Sequence, residues 1–248
     1  VALSGAAPLS TDIISWFNKM DLEILEVYGM TENFGWSHTT EQGDQQIGWV
    51  GTPNDGVECR IGEAGEVEVR SVANMSGYYK QADLTAEVLT EDGWLKTGDV
   101  GEIDGRGRLR ITGRIKEIFK TEKGKYVAPA PIENRLASQP GVELACVIGA
   151  NMAQPIALLN LTPEEQEKLS KGTEKEHFTQ SLNALLEKVN SQIDAHERLN
   201  ALVVCKTPWT VENGLITPTL KLKRNEIEKY YDADLPAWAA SRGVIWEQ

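Results

Sequence analysis

Cysteine and histidine are scarce in this chain: three of each in 248 residues. Cys59, Cys146 and Cys205 are far apart and odd in number, so they set no disulfide framework. They sit in apolar, strand-like surroundings such as Leu144-Ala145-Cys146-Val147-Ile148. That context reads as small buried hydrophobes in a reducing compartment. His38, His177 and His196 show no metal-ligand spacing, which excludes a structural zinc site. No stretch approaches the roughly 20 apolar residues that a membrane-spanning helix needs, and no secretory signal opens the chain. Positive charge is also in deficit: 25 Lys and Arg against 37 Asp and Glu leave a net charge of -12. A general nucleic-acid coat needs a clustered positive surface and is excluded, although one local basic site is not. Val1-Ala2-Leu3 reads as a strand without a preceding methionine, and the chain is therefore expected to be a fragment.

The hydrophobic fraction of 41% and charged fraction of 25% are those of a globular protein with a sizeable core. A helix is predicted over residues 10 to 20, with Ser10 and Thr11 as candidate caps and Ile13, Ile14, Phe17 and Met20 as its apolar stripe. A strand from Glu23 to Val27 follows. Residues 47 to 113 are glycine-punctuated and strand-rich, as in Gly65-Glu66-Val67-Glu68-Val69-Arg70, with a short helix near 83 to 89. After Gly113 the texture changes. A strand over 117 to 121 leads to Pro129 and Pro131, which open a helix from Ile132 to Ser138. Strands at 143 to 149 and 156 to 160 precede a helical region from 162 to 198, whose apolar face is Leu182, Leu185, Leu186, Val189 and Ile193. A strand at 201 to 205, a basic segment and a final helix complete the chain. The pattern predicts a β-rich piece followed by a small α/β domain, joined near 114 to 116.

Four segments have two readings each. In Tyr28-Gly29-Met30-Thr31-Glu32, glycine lets the backbone turn tightly beside a ligand, and Glu32 offers a hard oxygen for magnesium; the same residues also make an ordinary turn. Lys96-Thr97-Gly98-Asp99 holds an aspartate that can accept from two adjacent sugar hydroxyls, or simply closes a Gly-Asp turn. Gly113-Arg114-Ile115-Lys116 places a planar guanidinium where a ribose or phosphate oxygen could lie, next to Lys120, Lys123 and Lys125 around Gly124; a solvated hairpin is the alternative. Lys221 and Lys223 are anion ligands or charges that guard a strand edge.

Their order along the chain resolves the ambiguity. Ser4-Gly5-Ala6-Ala7-Pro8-Leu9, Tyr28 to Glu32, Gly77-Tyr78-Tyr79, Asp92-Gly93-Trp94, Thr97-Gly98-Asp99, Gly113 to Lys116, Gly124, Ile132-Glu133 and Lys221-Leu222-Lys223-Arg224 together resemble the adenylate-forming superfamily of acyl-CoA synthetases, luciferases and peptide-synthetase adenylation domains. Lys116-Glu117-Ile118-Phe119-Lys120, Val127 to Glu133 and Thr217 to Arg224 are similar to the long-chain fatty acyl-CoA synthetases, and Ser4 to Pro8 to their bubblegum-like branch.

This resemblance implies an α/β (α+β) fold. A β-rich remnant of the large AMP-binding domain, residues 1–115, precedes a small mobile C-terminal domain, 116–248, with a hinge at Lys116. It implies ATP, Mg2+ and coenzyme A as cofactors and a fatty acid as substrate, with acyl-AMP and pyrophosphate formed before acyl-CoA. It places the protein in the cytoplasm, with peripheral membrane contact left open. Gly5, Ala6 and Ala7 would line the adenine and acyl site, Tyr28 would pack on adenine, Gly29 would belong to the same cofactor site, Thr31 would touch phosphate, and Glu32 would bind the magnesium ion. Asp99 and Arg114 would hold ribose. Lys221 would reach the α-phosphate and carboxylate, and Lys120 and Gly124 would serve the thioester step, with Gly124 beside the pantetheine arm. Four departures stand out: the phosphate-binding loop is absent, as is most of the large N-terminal domain with much of the acyl pocket; Leu220 stands where many relatives have glycine before the terminal lysine, although long-chain members resemble this chain there; and Lys123 replaces a small residue. Without that loop the 248 residues alone are expected not to adenylate. A luciferase-like or peptide-synthetase fragment, and a non-catalytic binding module, are the rival readings. Retention of Glu32, Asp99, Arg114 and Lys221 together speaks against the second.

Overall fold

The computed structural model describes all residues except 1, 7, 8, 10, 173 and 248, together with the side chain at position 12. Two of the residues expected to matter, the cap candidate Ser10 and the site candidate Ala7, therefore lie outside the described residues. The fold is mixed α/β, and the chain divides into two compact units, Val1–Glu117 and Ile118–Gln248.

Unit 1 carries two four-stranded sheets. The first contains β1 (Ala2–Ser4), β2 (Ile24–Tyr28), β3 (His38–Thr39) and β4 (Thr52–Pro53), with α1 (Thr11–Asn18) between β1 and β2. β1 runs parallel to β2, and β2, β3 and β4 are antiparallel. The parallel pair needs a crossover, which α1 supplies. Of the apolar stripe expected on this helix, Ile14 is fully buried, while Ile13 and Met20 are exposed. The second sheet is a meander of β5 (Glu58–Ile61), β6 (Glu66–Arg70), β7 (Leu95–Ile103) and β8 (Leu109–Arg114), with α2 (Ala82–Val88) between β6 and β7. Its apolar positions Val67, Val69, Leu95 and Leu109 form a core against which Tyr28, Met30 and Val50 pack.

Unit 2 opens with a hairpin, β9 (Phe119–Lys120) and β10 (Tyr126–Val127), then α3 (Pro129–Leu136). Its main sheet follows the order β11 (Val142–Ile148), β12 (Ile156–Leu161), β13 (Ala201–Val204), β14 (Gly243–Trp246). β11 and β12 are antiparallel, and the remaining pairs are parallel. Between β12 and β13 lie α4 (Pro163–Ser170) and α5 (Lys175–Asn190); α6 (Arg224–Tyr230) and α7 (Leu235–Ala240) precede β14. Side chains alternate between the two faces of this sheet. Ala157, Leu159 and Leu161 meet Ile132 and the buried face of α5, whereas Ile156 and Leu158 meet Ile227, Tyr231 and Trp238. Burial on both faces explains why Ile156–Leu161 is a nearly unbroken apolar run.

Several sequence expectations change. The helix expected from Ile132 to Ser138 is Pro129–Leu136, and the single final helix is two, α6 and α7. The strand expected over 117 to 121 shortens to Phe119–Lys120. The helical region of 162 to 198 is two helices, because Gly172 takes φ 84° and ends the first. β14 was not anticipated.

Candidate functional site

In unit 1 the functional candidates gather where β2 and β8 end beside the middle of β7. Asp99 and Arg114 are register partners on neighbouring antiparallel strands. Arg114 donates from Nε to Asp99 Oδ1 at 2.6 Å. Tyr28, at the end of β2, donates its hydroxyl to the other oxygen, Oδ2, at 2.7 Å. Asp99 is held from behind as well, since its N–H donates to Thr97 Oγ1, whose own hydroxyl donates to the Val67 carbonyl. The Asp99 side chain is 8% exposed, yet the arginine side chain is half exposed. A carboxylate has about four acceptor positions, so two donors leave room for sugar hydroxyls. The bond to Asp99 raises the Arg114 pKa, and burial next to this carboxylate raises that of Tyr28, so the phenol stays protonated and donating.

Behind Tyr28 lies His38, whose ring centroid is 5.9 Å away. His38 is buried, and Ser37 Oγ pairs with its Nδ1 at 2.9 Å. Its Nε2 has no hydrogen-bond partner among the described residues. Burial lowers its pKa to about 4, so the imidazole is neutral at pH 7.

The segment after Tyr28 is a tight loop. Gly29 packs its backbone against Gly35 so closely that a Cβ would overlap the Gly35 carbonyl. Asn33 Oδ1 accepts from the Met30 N–H at 2.8 Å, opening a short 3-10 turn over Thr31–Asn33. Thr31 is exposed and Glu32 half-buried. Tyr78 donates its hydroxyl to Glu32 Oε1 at 2.8 Å, and burial, with this bond, raises the Tyr78 pKa. Among the described residues no group of three or more His, Cys, Asp or Glu side chains could hold a metal ion. A lone, oriented carboxylate does not make an all-protein cage. It does fit magnesium, which keeps most of its water and travels with phosphates. Gly5, beyond β1, is equally crowded: a Cβ there would lie 2.6 Å from Val27 Cγ2. Ala6 takes φ 67°. Lys116 is exposed in the turn that follows β8, adjoining the unit boundary.

In unit 2, Lys120 ends β9 and Gly124 lies in the turn to β10, donating to the Thr121 carbonyl at 2.9 Å. Gly124 takes φ 74°, so the turn itself favours glycine. Lys120 Nζ stands 5.5 Å from the centre of the Tyr126 ring. Lys221 sits on a small hairpin. Its N–H donates to Thr217 Oγ1 at 3.0 Å, its carbonyl accepts from the Thr217 N–H at 2.8 Å, and Ile216 bridges Leu222. Leu220 takes φ 59° at the tip, a left-handed conformation that glycine adopts without strain.

The structure thus brings Tyr28, Asp99 and Arg114 into direct contact, and Thr31 and Glu32 follow Tyr28 on the same loop. Sequence reasoning had assigned no role to Tyr78, His38 or Thr97. The Gly77-Tyr78-Tyr79 motif was the available signal for Tyr78, but nothing linked it to a partner 46 positions away.

Two donors, a phenol and a guanidinium, thus fix one buried carboxylate, and an oriented glutamate lies on the loop after Tyr28. The comparisons name the family. Residues 1–79 match the model of the AMP-binding enzyme, and residues 117–238 that of the AMP-binding enzyme C-terminal domain. The chain belongs to the AMP-binding enzymes. It is 34% identical over 250 residues to the long-chain-fatty-acid–CoA ligase FadD15 of Mycobacterium bovis, covering 95% of this chain and 41% of that protein. Against the peroxisomal long chain acyl-CoA synthetase 7 of Arabidopsis thaliana the identity is 33%, over 92% of this chain and 37% of the relative. The chain thus spans about two fifths of the length of the curated relatives it matches. Among solved structures, the adenylation domain of a carboxylate reductase from Mycobacterium chelonae superposes with a TM-score of 0.78 at 27% identity, over 97% of this chain and 38% of that one. ATP-bound MatB from Rhodopseudomonas palustris gives 0.72 at 26% identity, over 94% and 45%.

Proposed function

We propose that this chain serves a long-chain fatty acid–CoA ligase, which activates a fatty acid with ATP to acyl-AMP and pyrophosphate and then transfers the acyl group to coenzyme A. The observation that carries this reading is the Tyr28–Asp99–Arg114 cluster, built in a chain related to such ligases over nearly its whole length.

The roles follow from the chemistry of each group. Asp99 accepts from the two ribose hydroxyls, and Arg114 both holds Asp99 and offers its remaining N–H groups to the nucleotide. Tyr28 packs on the adenine, Gly29 lies at the nucleotide site, and Gly5, Ala6 and Ala7 are assigned to the lining of the adenine and acyl site. Thr31 donates to a phosphate oxygen, and Glu32, oriented by Tyr78, supplies one ligand to Mg2+. When bound, that ion would neutralise phosphate charge. Lys221 brings a compact positive charge to the α-phosphate and the attacking carboxylate, where negative charge develops. Lys120 and Gly124 serve the thioester step, with Lys116 as the pivot between the two steps. The location assigned is cytoplasmic.

The test is palmitate-dependent ATP–pyrophosphate exchange by a graft of this chain onto the preceding region of the mycobacterial ligase. Exchange that falls at least 100-fold in Lys221→Ala and in Asp99→Ala supports the reading, and exchange indifferent to both overturns it. The 248 residues alone are expected to show no exchange above their own Lys221→Ala control.

A further inference from the structure

Two motif residues have no part in these roles: Glu133 and Arg224. They are 91 positions apart and form a two-pronged ion pair, Arg224 Nη1 to Glu133 Oε1 at 2.7 Å and Nη2 to Oε2 at 3.1 Å. Both side chains are nearly buried, at 11% and 12% exposure. Each also grips the backbone of one sheet residue, Val147. The Val147 N–H donates to Glu133 Oε1 at 2.7 Å, and Arg224 Nη1 donates to the Val147 carbonyl at 2.7 Å. Val147 lies on β11, an outer strand of the unit 2 sheet, whose outer edge pairs with no further strand among the described residues. One helix (α3), one strand (β11) and the first residue of α6 are thus fastened at a single point.

The location gives this clamp a consequence. Arg224 is three residues beyond Lys221, and the intervening Lys223 N–H closes the hairpin by donating to the Leu215 carbonyl at 3.0 Å. The hairpin tip from Thr217 to Lys221 is exposed apart from a half-buried Thr217, so little packing holds it. On the other side, α3 follows directly from β10, the second strand of the hairpin that carries Lys120 and Gly124. The two lysine-bearing hairpins are therefore tied to one frame through Glu133 and Arg224.

We infer that Glu133 is a positioning residue: through Arg224 it sets the height and direction of the Lys221 hairpin for the adenylation step. This rests on the reading that Lys221 is the adenylation lysine. Displacing a reacting group by about 1 Å costs on the order of 100-fold in rate. A lysine at 224 cannot replace the clamp, because one ammonium lacks the planar fork that reaches both carboxylate oxygens while also reaching the Val147 carbonyl.

The experiment compares Glu133→Gln and Arg224→Lys in the same graft, with two half-reactions measured separately: palmitate-dependent pyrophosphate exchange, and thioester formation from supplied palmitoyl-adenylate and coenzyme A. We expect exchange kcat to fall 10- to 100-fold in both variants with the KM for ATP changed less than threefold, and thioester formation to stay within threefold. Amide hydrogen exchange on the 248-residue chain supplies a fold check. The Lys221 and Lys223 amides should exchange at least 10-fold faster, with β12 and β13 unchanged. Equal losses in both half-reactions, or faster exchange throughout β12 and β13, would make the pair a general stabiliser and overturn the inference. So would unchanged exchange kcat in variants when Lys221→Ala is inactive. If Lys221→Ala retains full activity, the underlying reading of Lys221 fails instead.

Discussion

Asp99 and Arg114 face each other as register partners across β7 and β8, and Tyr28 reaches from another sheet to the carboxylate oxygen that Arg114 leaves open. Tyr28 therefore has a structural duty as well as a place beside the nucleotide. Tyr28→Phe removes one donor from a buried carboxylate, which costs about 1–2 kcal/mol. Thermal unfolding should show the loss in the absence of any ligand. An unchanged melting temperature would mean that Asp99 does not depend on this bond.

Leu220 holds a left-handed backbone at the tip of the Lys221 hairpin. A non-glycine residue there stores roughly 1–3 kcal/mol, partly offset by the extra unfolded-state freedom that glycine has. Leu220 is 66% exposed, so its removal sacrifices little burial. Leu220→Gly should stabilise the chain by about 0.5–1 kcal/mol, as read by denaturant unfolding. Destabilisation would show that the leucine side chain has packing that outweighs the strain.

His38 gives a pH signature. Its folded pKa is near 4 because burial disfavours the charged form, whereas the unfolded chain protonates near 6.5. As pH falls from 6.5 to 4 the unfolded state takes up the proton first, so stability present above 6.5 is lost, up to about 3 kcal/mol at 1.36 kcal/mol per unit. Glu26, whose pKa burial raises, works in the opposite direction. The measurement is thus the difference between wild type and His38→Gln in urea unfolding at pH 7 and pH 4.5. The difference should narrow in acid, and a constant difference would refute the assignment.

The cysteines should be inert. Burial pushes the Cys59 thiol up to about 11 and Cys205 up to about 12, and raises Cys146 as well. At pH 8 on the order of 0.1% of Cys59 is thiolate. A disulfide reagent such as Ellman's should react slowly with the native chain and release three equivalents in guanidinium. Rapid labelling without denaturant would contradict this.

The sequence was most readable where physics is local. The unit 2 strands appear as short apolar runs because both faces of that sheet are covered, and the two prolines before Ile132 mark α3. β14 was invisible because its four residues are only half-buried and carry no alternation. The break between α4 and α5 rested on one glycine, Gly172, inside a polar stretch. Contacts across long separations were out of reach: nothing in the residues themselves joins Tyr78 to Glu32, or Glu133 to Arg224. Asp99 and Arg114 were paired beforehand only through family resemblance, and the strand register supplies the physical reason that they meet.

The hold on Val147 reaches beyond catalysis. An outer strand with open amide and carbonyl groups invites a second chain to lie along it. On β11 an incoming strand would first have to pull apart a buried ion pair to reach the amide and carbonyl of Val147, near the end of the strand. The pair that ties down a hairpin thus also guards the rim of the sheet, and its loss should make the protein more prone to self-association.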